Sequence, residues 1–135
     1  MESHLERFAE RYAEAWSSQH PESVSAFYAP DGSLTVNGGE PAIGRSAITG
    51  VAESFMTAFP DMVVSLDRLV EGPEGLEFHW TLSGTNTGPG GTGNRVQISG
   101  HEAWRLNEEG LIAESKGHFD ASEYERQLAH GVEAP

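Results

Sequence analysis

Apolar residues recur at helical spacing in three stretches of the first half of the chain. Residues 4–18 carry apolar side chains three and four positions apart, which predicts an amphipathic helix. Pro21 opens a short second helix, whose inner face is expected to extend as far as Tyr28. Residues 46–59 repeat the helical pattern until Pro60 ends it. We therefore expect three helices before the main sheet.

The pattern then changes to strand-like segments separated by Gly, Pro or Asn. These segments lie at residues 34–37, 62–71, 76–84, 95–106 and 111–119. Pairing of the last four in chain order predicts an antiparallel meander, and Asp120 caps a final helix through Leu128. Residues 1–135 are thus expected to form one α+β domain. In it, a curved antiparallel sheet wraps around three N-terminal helices and encloses a cone-shaped cavity.

Glu102 interrupts an otherwise apolar strand face. The residues that share its parity are Val96, Ile98, Trp104 and Leu106. An ionised carboxylate that faces a core is unfavourable unless it is paired, hydrogen-bonded or protonated. Desolvation among Trp80, Trp104 and Phe119 is expected to raise its pKa toward the range of a general acid or base. Glu102 is therefore the first candidate catalytic residue.

The turn after Leu106 decides which residue faces Glu102 across the last hairpin. A four-residue loop places Glu102 opposite Ser115, which makes Ser115 a candidate ligand-binding residue. A three-residue loop shifts the register by one and pairs Glu102 with Lys116 as an ion pair. We favour the first register and keep the second as the structural alternative.

Composition limits the partners that the chain can bind. Its 135 residues include 8 Lys and Arg, 21 Asp and Glu and no Cys, for a formal charge of −13. This charge argues against nucleic acid and anionic membranes and favours a neutral or cationic partner. The N-terminus lacks the pattern of a signal peptide, and no apolar run approaches the roughly 20 residues of a membrane span. We therefore expect a cytoplasmic protein.

Three histidines on neighbouring predicted strands raise the question of a metal site. His79, His101 and His118 all fall on the polar parity, which faces away from the predicted cavity. We therefore assign them to a solvated face or a dimer contact and expect neither a metal nor a cofactor. The glycine-rich residues 84–93 lack the lysine of a phosphate-binding loop, and we expect them to form a long mobile or ligand-covering connection.

Seven short segments occur in an order that covers nearly the whole chain. They are Y-A-E-A-W, F-Y-A-P-D-G, G-R-S-A-I, F-P-D-M, S-G-T-N-T-G, W-R-L-N-E-E-G-L-I and F-D-A-S-E-Y-E-R-Q-L. In this order the chain resembles the nuclear transport factor 2-like superfamily, and within it the SnoaL-like polyketide cyclases and ketosteroid isomerases. The resemblance implies a curved sheet around helices, a deep hydrophobic cavity and a homodimer, which we expect to form through the sheet. Because such folds host both enzymes and binding proteins, the fold alone does not settle the chemistry.

The resemblance also implies roles for individual residues. Tyr12 matches the helix-one tyrosine that donates a hydrogen bond in ketosteroid isomerases, and Glu102 matches the acid that shares this role. The isomerase base should lie at the end of the first strand, where this chain has Val36 and Asn37. The acid/base position of the cyclases and epoxide hydrolases is Gly117. Both base positions therefore lack a titratable side chain, and Glu102 is the nearest substitute.

Three functional hypotheses remain at this point. The first is a SnoaL-like, polyketide-cyclase-related protein that binds a small hydrophobic cyclic carbonyl compound, with Glu102 as acid or base and Tyr12 assisting. The ligand-binding residues predicted for it are Trp16, Asn37, Phe55, Phe59, Phe78, Trp80, Trp104, Ser115 and Phe119. The second hypothesis is a non-catalytic ligand-binding or dimeric scaffold protein of the same fold, and the third is a ketosteroid-isomerase-like enzyme. Whether the chain is an enzyme stays open.

Overall fold

The computed structural model describes residues 4–72 and 75–132. The elements of this part are α1 (His4–Ser17), α2 (Pro21–Ser25), β1 (Tyr28–Val36), β2 (Ala42–Ile43), α3 (Arg45–Ala58), β3 (Val63–Gly72), β4 (Gly75–Thr85), β5 (Arg95–Leu106), β6 (Ile112–Phe119) and α4 (Ala121–His130). The predicted α+β class is confirmed. Most helices and strands begin and end close to the predicted residues. In the described part of the chain, every helix is too short or too polar to cross a lipid bilayer.

The six strands form one sheet in the order β2-β1-β6-β5-β4-β3. Strands β3 to β6 pair in chain order and antiparallel, as the alternating pattern predicted. Strand β1 instead pairs in parallel with β6, and the short strand β2, which was not predicted, pairs with β1 at the sheet edge. Helix α1 packs against β3, and α3 packs against both α2 and β1. The main core lies between these helices and the sheet.

Strand β1 begins at Tyr28 rather than at the predicted residue 34. Helix α2 ends at Ser25, so Tyr28 is not on its inner face but is the first residue of the strand. The pairing of β1 with β6 changes register between Tyr28 and Ser33. This irregularity accommodates Pro30 and Gly32, which are turn residues by local rules and here lie inside a strand. The strand therefore carries Tyr28 into the core beneath α1.

The register of the β5–β6 hairpin differs from both predicted alternatives. Leu106 pairs one residue further along β6 than predicted, and an adjacent bulge adds a second residue on that strand. Because the two shifts add up to two, Ser115 and Gly117 stay on the face of the sheet that carries Glu102. Its partner is Gly117, so the predicted pairings with Ser115 and with Lys116 are both wrong.

The glycine-rich connection between β4 and β5 is anchored to α3. Asn86 is buried, and its side-chain amide donates to the Ala58 carbonyl oxygen at 3.1 Å. Its Oδ1 accepts the backbone N–H of Thr92 at 2.8 Å, and the Gly88 N–H also donates to Ala58 at 3.2 Å. Among the described residues that line the cavity, none belongs to this connection. These hydrogen bonds hold the connection against α3. The connection does not line the cavity, in contrast to the predicted ligand-covering role.

Candidate functional site

A cavity lies between the helices and the concave face of the sheet. Five predicted ligand-binding residues line it, namely Trp16, Phe55, Phe78, Trp80 and Phe119. The remaining lining residues are Leu34, Val36, Val64, Leu82, Ile98, Glu102, Gly117 and Tyr124. The space open to the centre of a water molecule is about 60 Å³. Since one water needs roughly 10–15 Å³ of such space, the cavity as it stands accommodates a few waters.

Three hydrogen bonds hold the Glu102 carboxyl group through one of its oxygens. Oε1 accepts from the Tyr12 hydroxyl at 2.9 Å, from the Trp104 indole N–H at 2.9 Å and from the Ser115 hydroxyl at 2.7 Å. The donors belong to α1, β5 and β6, so the site requires all three elements to be in place. No residue in the described ranges donates to Oε2. This second oxygen is therefore the one left to interact with a ligand in the cavity.

The network continues behind Glu102 to a second tyrosine. The hydroxyl oxygens of Tyr12 and Tyr28 are 2.8 Å apart. Because the one hydroxyl proton of Tyr12 is donated to Glu102, Tyr28 donates to Tyr12. Both side chains are fully buried, and burial followed by the charge of Glu102 raises the pKa of each well above the usual 10.0. Neither is among the lining residues of the cavity, so Tyr12 contacts Glu102 without facing the cavity.

Burial also raises the pKa of Glu102 above its usual 4.5. The hydrogen bonds from Trp104, Ser115 and Tyr12 favour the carboxylate and oppose this shift, but desolvation is the larger effect. Because Oε1 already accepts three hydrogen bonds, a proton on this group belongs on Oε2. The neutral acid can then donate a hydrogen bond into the cavity.

Val36, Gly117 and Glu102 lie side by side across β1, β6 and β5. The resemblance implies a base at Val36 in ketosteroid isomerases and at Gly117 in cyclases. Both positions lie in this row beside Glu102, and neither carries a titratable side chain. A β-carbon added to Gly117 would lie 3.7 Å from Cγ of Glu102, an ordinary van der Waals distance. Gly117 thus leaves a gap beside the carboxyl group.

Four of the predicted ligand-binding residues lie outside the cavity lining. Trp104 and Ser115 are buried beside Glu102, and their polar hydrogens are directed to it. Asn37 is exposed in the turn after β1, where its side chain accepts a backbone N–H of β6 at 2.9 Å. Phe59 is fully buried in the core at the end of α3. These residues therefore support the site or the fold and do not face the cavity.

The site residues predicted from sequence did not include Tyr28, nor the lining residues Leu34, Val64, Leu82, Ile98 and Tyr124. Tyr28 belongs to the site only because β1 starts early and pairs with β6, a long-range feature that no local pattern signals. Tyr124 reaches the cavity from α4, where the sequence shows only one apolar position of an amphipathic helix. Its aromatic character was the one available signal.

The three histidines form a row on the opposite face of the sheet. His79 pairs with His101 and His101 with His118, and their ring centroids are 5.3 and 5.0 Å apart. Burial and the neighbouring His118 lower the pKa of His101 from the usual 6.5. Within the described ranges, no group of three or more His, Cys, Asp or Glu side chains is arranged to hold a metal ion.

Comparison with known proteins gives one family and a set of shared folds. A family model for SnoaL-like polyketide cyclases matches residues 6–128. A search of curated proteins finds no significant match. Many solved structures share the fold.

Three of these solved structures illustrate the similarity. A protein with a ketosteroid isomerase-like fold from Catenulispora acidiphila DSM 44928, in complex with trimethylamine, has a TM-score of 0.78 and 16% identity, over 90% of this chain and 91% of that one. A candidate SnoaL-like polyketide cyclase from Jannaschia sp. CCS1 has a TM-score of 0.77 and 14% identity, over 96% of each chain. The candidate hydroxylase AclR from Streptomyces galilaeus has a TM-score of 0.77 and 19% identity, over 98% of this chain and 87% of that one. At these identities the likeness concerns the fold alone.

Proposed function

The chain belongs to the SnoaL-like polyketide cyclase family, and we propose that its cavity binds a small hydrophobic cyclic carbonyl compound on which Glu102 acts as general acid or base. One observation carries this proposal. A carboxyl group with a raised pKa is held through Oε1 and lines an apolar cavity in which Oε2 is unbonded by the described residues. An acid–base catalyst needs this combination of pKa, fixed position and access.

The chemistry follows from the two forms of the carboxyl group. As a carboxylate, Glu102 takes a proton through Oε2 from the carbon next to a ligand carbonyl and returns it to another atom of the same compound. The electron pair of the broken C–H bond moves onto the carbonyl oxygen as an enolate. The hydroxyls of Tyr12 and Ser115 and the indole of Trp104 keep Oε1 in place while Oε2 exchanges the proton. One carboxyl group can thus serve both proton transfers.

A non-catalytic binding protein of the same fold is the second candidate. The observation that favours it is the row of Val36 and Gly117 beside Glu102, which leaves no second titratable group next to the carboxyl group on these strands. Ketosteroid isomerase-like activity, the third hypothesis, requires a base where Val36 and Asn37 stand. We therefore rank it below the other two.

Exchange of the α-protons of 1-tetralone in D₂O, followed by NMR, tests the catalytic proposal without knowledge of the natural substrate. The unchanged protein should accelerate this exchange, and Glu102→Gln should reduce the acceleration by roughly 10²-fold or more. His101→Gln changes the neighbouring residue on the other face of β5 and should leave the rate unchanged. Binding of 1-tetralone without any acceleration would favour the non-catalytic candidate. A full rate in Glu102→Gln would refute the role of Glu102.

We also propose that two copies associate through the outer face of the sheet. The row of His79, His101 and His118 lies on that face, together with Thr81 and Ser99, whose hydroxyl oxygens are 2.7 Å apart. Light scattering after size-exclusion chromatography should give twice the chain mass of 14.6 kDa. The variant His101→Glu should shift the mass toward one chain, because it places charge at the centre of the contact.

A further inference from the structure

The lining of the cavity combines aromatic rings with a single carboxyl group. Half of the aromatic residues in the chain line it, namely Trp16, Phe55, Phe78, Trp80, Phe119 and Tyr124. Among the described lining residues, none is Lys, Arg or His, and the one carboxyl group is that of Glu102. Aromatic faces and a carboxylate both attract cations. This composition therefore favours a positively charged ligand over an anion.

The aromatic residues also surround the way into the cavity. Phe55, Trp80, Phe119 and Tyr124 line it and are half-buried, and they belong to α3, β4, β6 and α4; we call these four residues the aromatic rim. Glu102 is only 7% exposed and lies further inside. The formal charge of −13 attracts cations to the protein as a whole. A cation that enters the cavity thus passes aromatic rings before it reaches the carboxyl group.

The size of the cavity selects a compact ligand. The space open to the centre of a water molecule is about 60 Å³, which is room for about four to six waters. An ammonium ion that carries three methyl groups has about as many non-hydrogen atoms. The cavity therefore matches a small alkylammonium ion in size.

The acceptors in the lining determine how many N–H groups such an ion can carry. Oε1 of Glu102 already accepts three hydrogen bonds, so Oε2 is the acceptor that remains on the carboxyl group. The other side-chain oxygen in the described lining is the Tyr124 hydroxyl on the aromatic rim. A primary ammonium brings three N–H donors and would leave at least one of them unbonded in a buried site. A tertiary ammonium brings one donor, which Oε2 satisfies.

We infer that the cavity binds a compact tertiary ammonium cation, whose N–H donates to Oε2 of Glu102 and whose alkyl groups lie against the aromatic rim. Because alkyl groups replace most of its N–H groups, such a cation loses few hydrogen bonds to water when it enters the cavity. The inference goes beyond the proposed function and does not rest on it. It requires the position of Glu102 but no proton transfer to or from carbon.

Binding of a cation should release the proton of Glu102. In the empty cavity burial raises the pKa of this group, whereas a cation next to it favours the carboxylate. The other titratable groups nearby are Tyr12 on α1, Tyr28 on β1 and Tyr124 on α4; the pKa of each is raised above 10.0, so none ionises near neutral pH. The described lining residues of α3, β3, β4 and β6 carry no titratable group. Affinity for the cation should therefore rise with pH by up to about 10-fold per unit below the folded pKa and level off above it.

Four probes of similar size test the inference by NMR titration of the unchanged protein. They are trimethylammonium with one N–H donor, tetramethylammonium with none, tert-butylammonium with three, and neutral tert-butanol. Trimethylammonium should bind most tightly, and tert-butanol should bind roughly 10-fold more weakly or worse, the value of a charge-assisted hydrogen bond. Only the cations should gain affinity as pH rises. The carboxyl ¹³C signal of Glu102 should move toward that of a carboxylate when trimethylammonium binds.

Two variants separate the carboxyl group from the aromatic rim. Glu102→Gln keeps the shape and removes the charge, so it should weaken trimethylammonium by roughly 10-fold or more and abolish the pH dependence. Phe119→Leu replaces a ring of the rim and should weaken tetramethylammonium by about 2- to 5-fold. Neither should change the affinity for tert-butanol by more than about 2-fold, and His101→Gln on the other face should change none of the four affinities. The probe series and its pH dependence are read in the unchanged protein, so they decide the question even where a variant fails to fold.

Four results would overturn the inference. Binding of tert-butanol as tight as that of trimethylammonium would assign the cavity to neutral ligands and leave the proposed function intact. Trimethylammonium that binds Glu102→Gln with full affinity would be held by the acidic surface and not by the cavity. Tightest binding of tert-butylammonium would contradict the single acceptor. Failure of all three cations to bind, while the protein accelerates α-proton exchange of 1-tetralone, would refute the inference alone, whereas the predicted cation binding without this exchange would support it and refute catalysis alone.

Discussion

Glu102 and His101 are neighbours in β5, yet the two faces of the strand give them opposite surroundings. Burial favours the neutral form of each, raising the pKa of Glu102 and lowering that of His101. On the covered face, donors from α1, β5 and β6 meet at one oxygen of Glu102. On the other face, His101 lies between two further histidines. The helical cover, rather than the strand itself, thus makes one face a candidate site.

The largest expected difference between the two faces is in stability. Phe78 is fully buried, stacks on Trp104 at 5.0 Å and lies opposite Glu102, whereas its neighbour His79 points to the outer face. Phe78→Ala should lower the free energy of unfolding by about 3–5 kcal/mol, because it removes a ring from the core. His79→Ala should lower it by roughly 0.5 kcal/mol. Urea unfolding measures both, and equal losses would contradict the assignment of the faces.

The helices and the four-stranded meander were predictable because their signals are local. Apolar periodicity marks α1 and α3, and glycine, proline and asparagine separate β3 to β6. Strand β1 was predicted too short because Pro30 and Gly32 are turn residues by local rules. Its pairing with β6 places them inside a strand, and that pairing involves residues about eighty positions away. Local rules therefore fail where distant partners decide the structure.

The candidate site shows the same limit. The parity of Glu102 within β5 predicted its face. A loop shift and a bulge together moved the register of β6 by an even number, so Ser115 also stayed on that face. The residue opposite Glu102 could not be predicted, since the sequence does not signal the bulge. Ser115 still contacts Glu102, now diagonally from its place opposite Trp104.

The pH dependence of stability tests the covered face. The folded pKa of Glu102 is raised above the usual 4.5, so the folded state binds more protons than the unfolded state between these two values. Its contribution is complete below about pH 4.5 and is lost as pH rises through the folded pKa, at most about 1.4 kcal/mol per pH unit. The side chain of Glu102→Gln does not ionise, so the stability of this variant does not fall with pH through this position. The stability of the unchanged protein relative to Glu102→Gln should therefore fall as pH rises from 4 to 9.

A pH-independent difference between these two proteins would contradict a raised pKa of Glu102. A difference that instead grew in favour of the unchanged protein with rising pH would show a depressed pKa and a structural role for the carboxylate. Urea unfolding at fixed ionic strength gives the curve, and His101→Gln measured alongside separates the two faces.

On the outer face, the pH dependence of stability should be smaller and of opposite sign. His101 has a lowered pKa, so its contribution is complete above the usual 6.5 and is lost as pH falls through the folded value. His118 and His79 lower this pKa, whereas Glu77 raises it. In NMR titration, His118→Gln should raise the pKa of His101 and Glu77→Gln should lower it. If the pKa of His101 changed in neither variant, His118 and Glu77 would have no electrostatic effect on His101.

The smallest expected effect is that of a substitution at Gly117 on the covered face. Gly117 adopts an ordinary strand conformation, and an added β-carbon lies 3.7 Å from its nearest neighbours, Cγ of Glu102 and the Thr35 carbonyl oxygen. Gly117→Ala should therefore be neutral or stabilise the fold by up to about 1 kcal/mol, because alanine orders a strand better. Gly100→Ala is the matched control. Its methyl group would collide with the His118 carbonyl oxygen and the ring of Trp80, and should cost about 1–3 kcal/mol.

These two variants also locate the ligand. The methyl group of Gly117→Ala fills part of the gap beside Glu102, so it should weaken binding of 1-tetralone although the fold is intact. Thermal unfolding and calorimetric titration of the same samples separate the two effects. Unchanged affinity would place the bound ketone away from Glu102 and would contradict a role of the carboxyl group in binding.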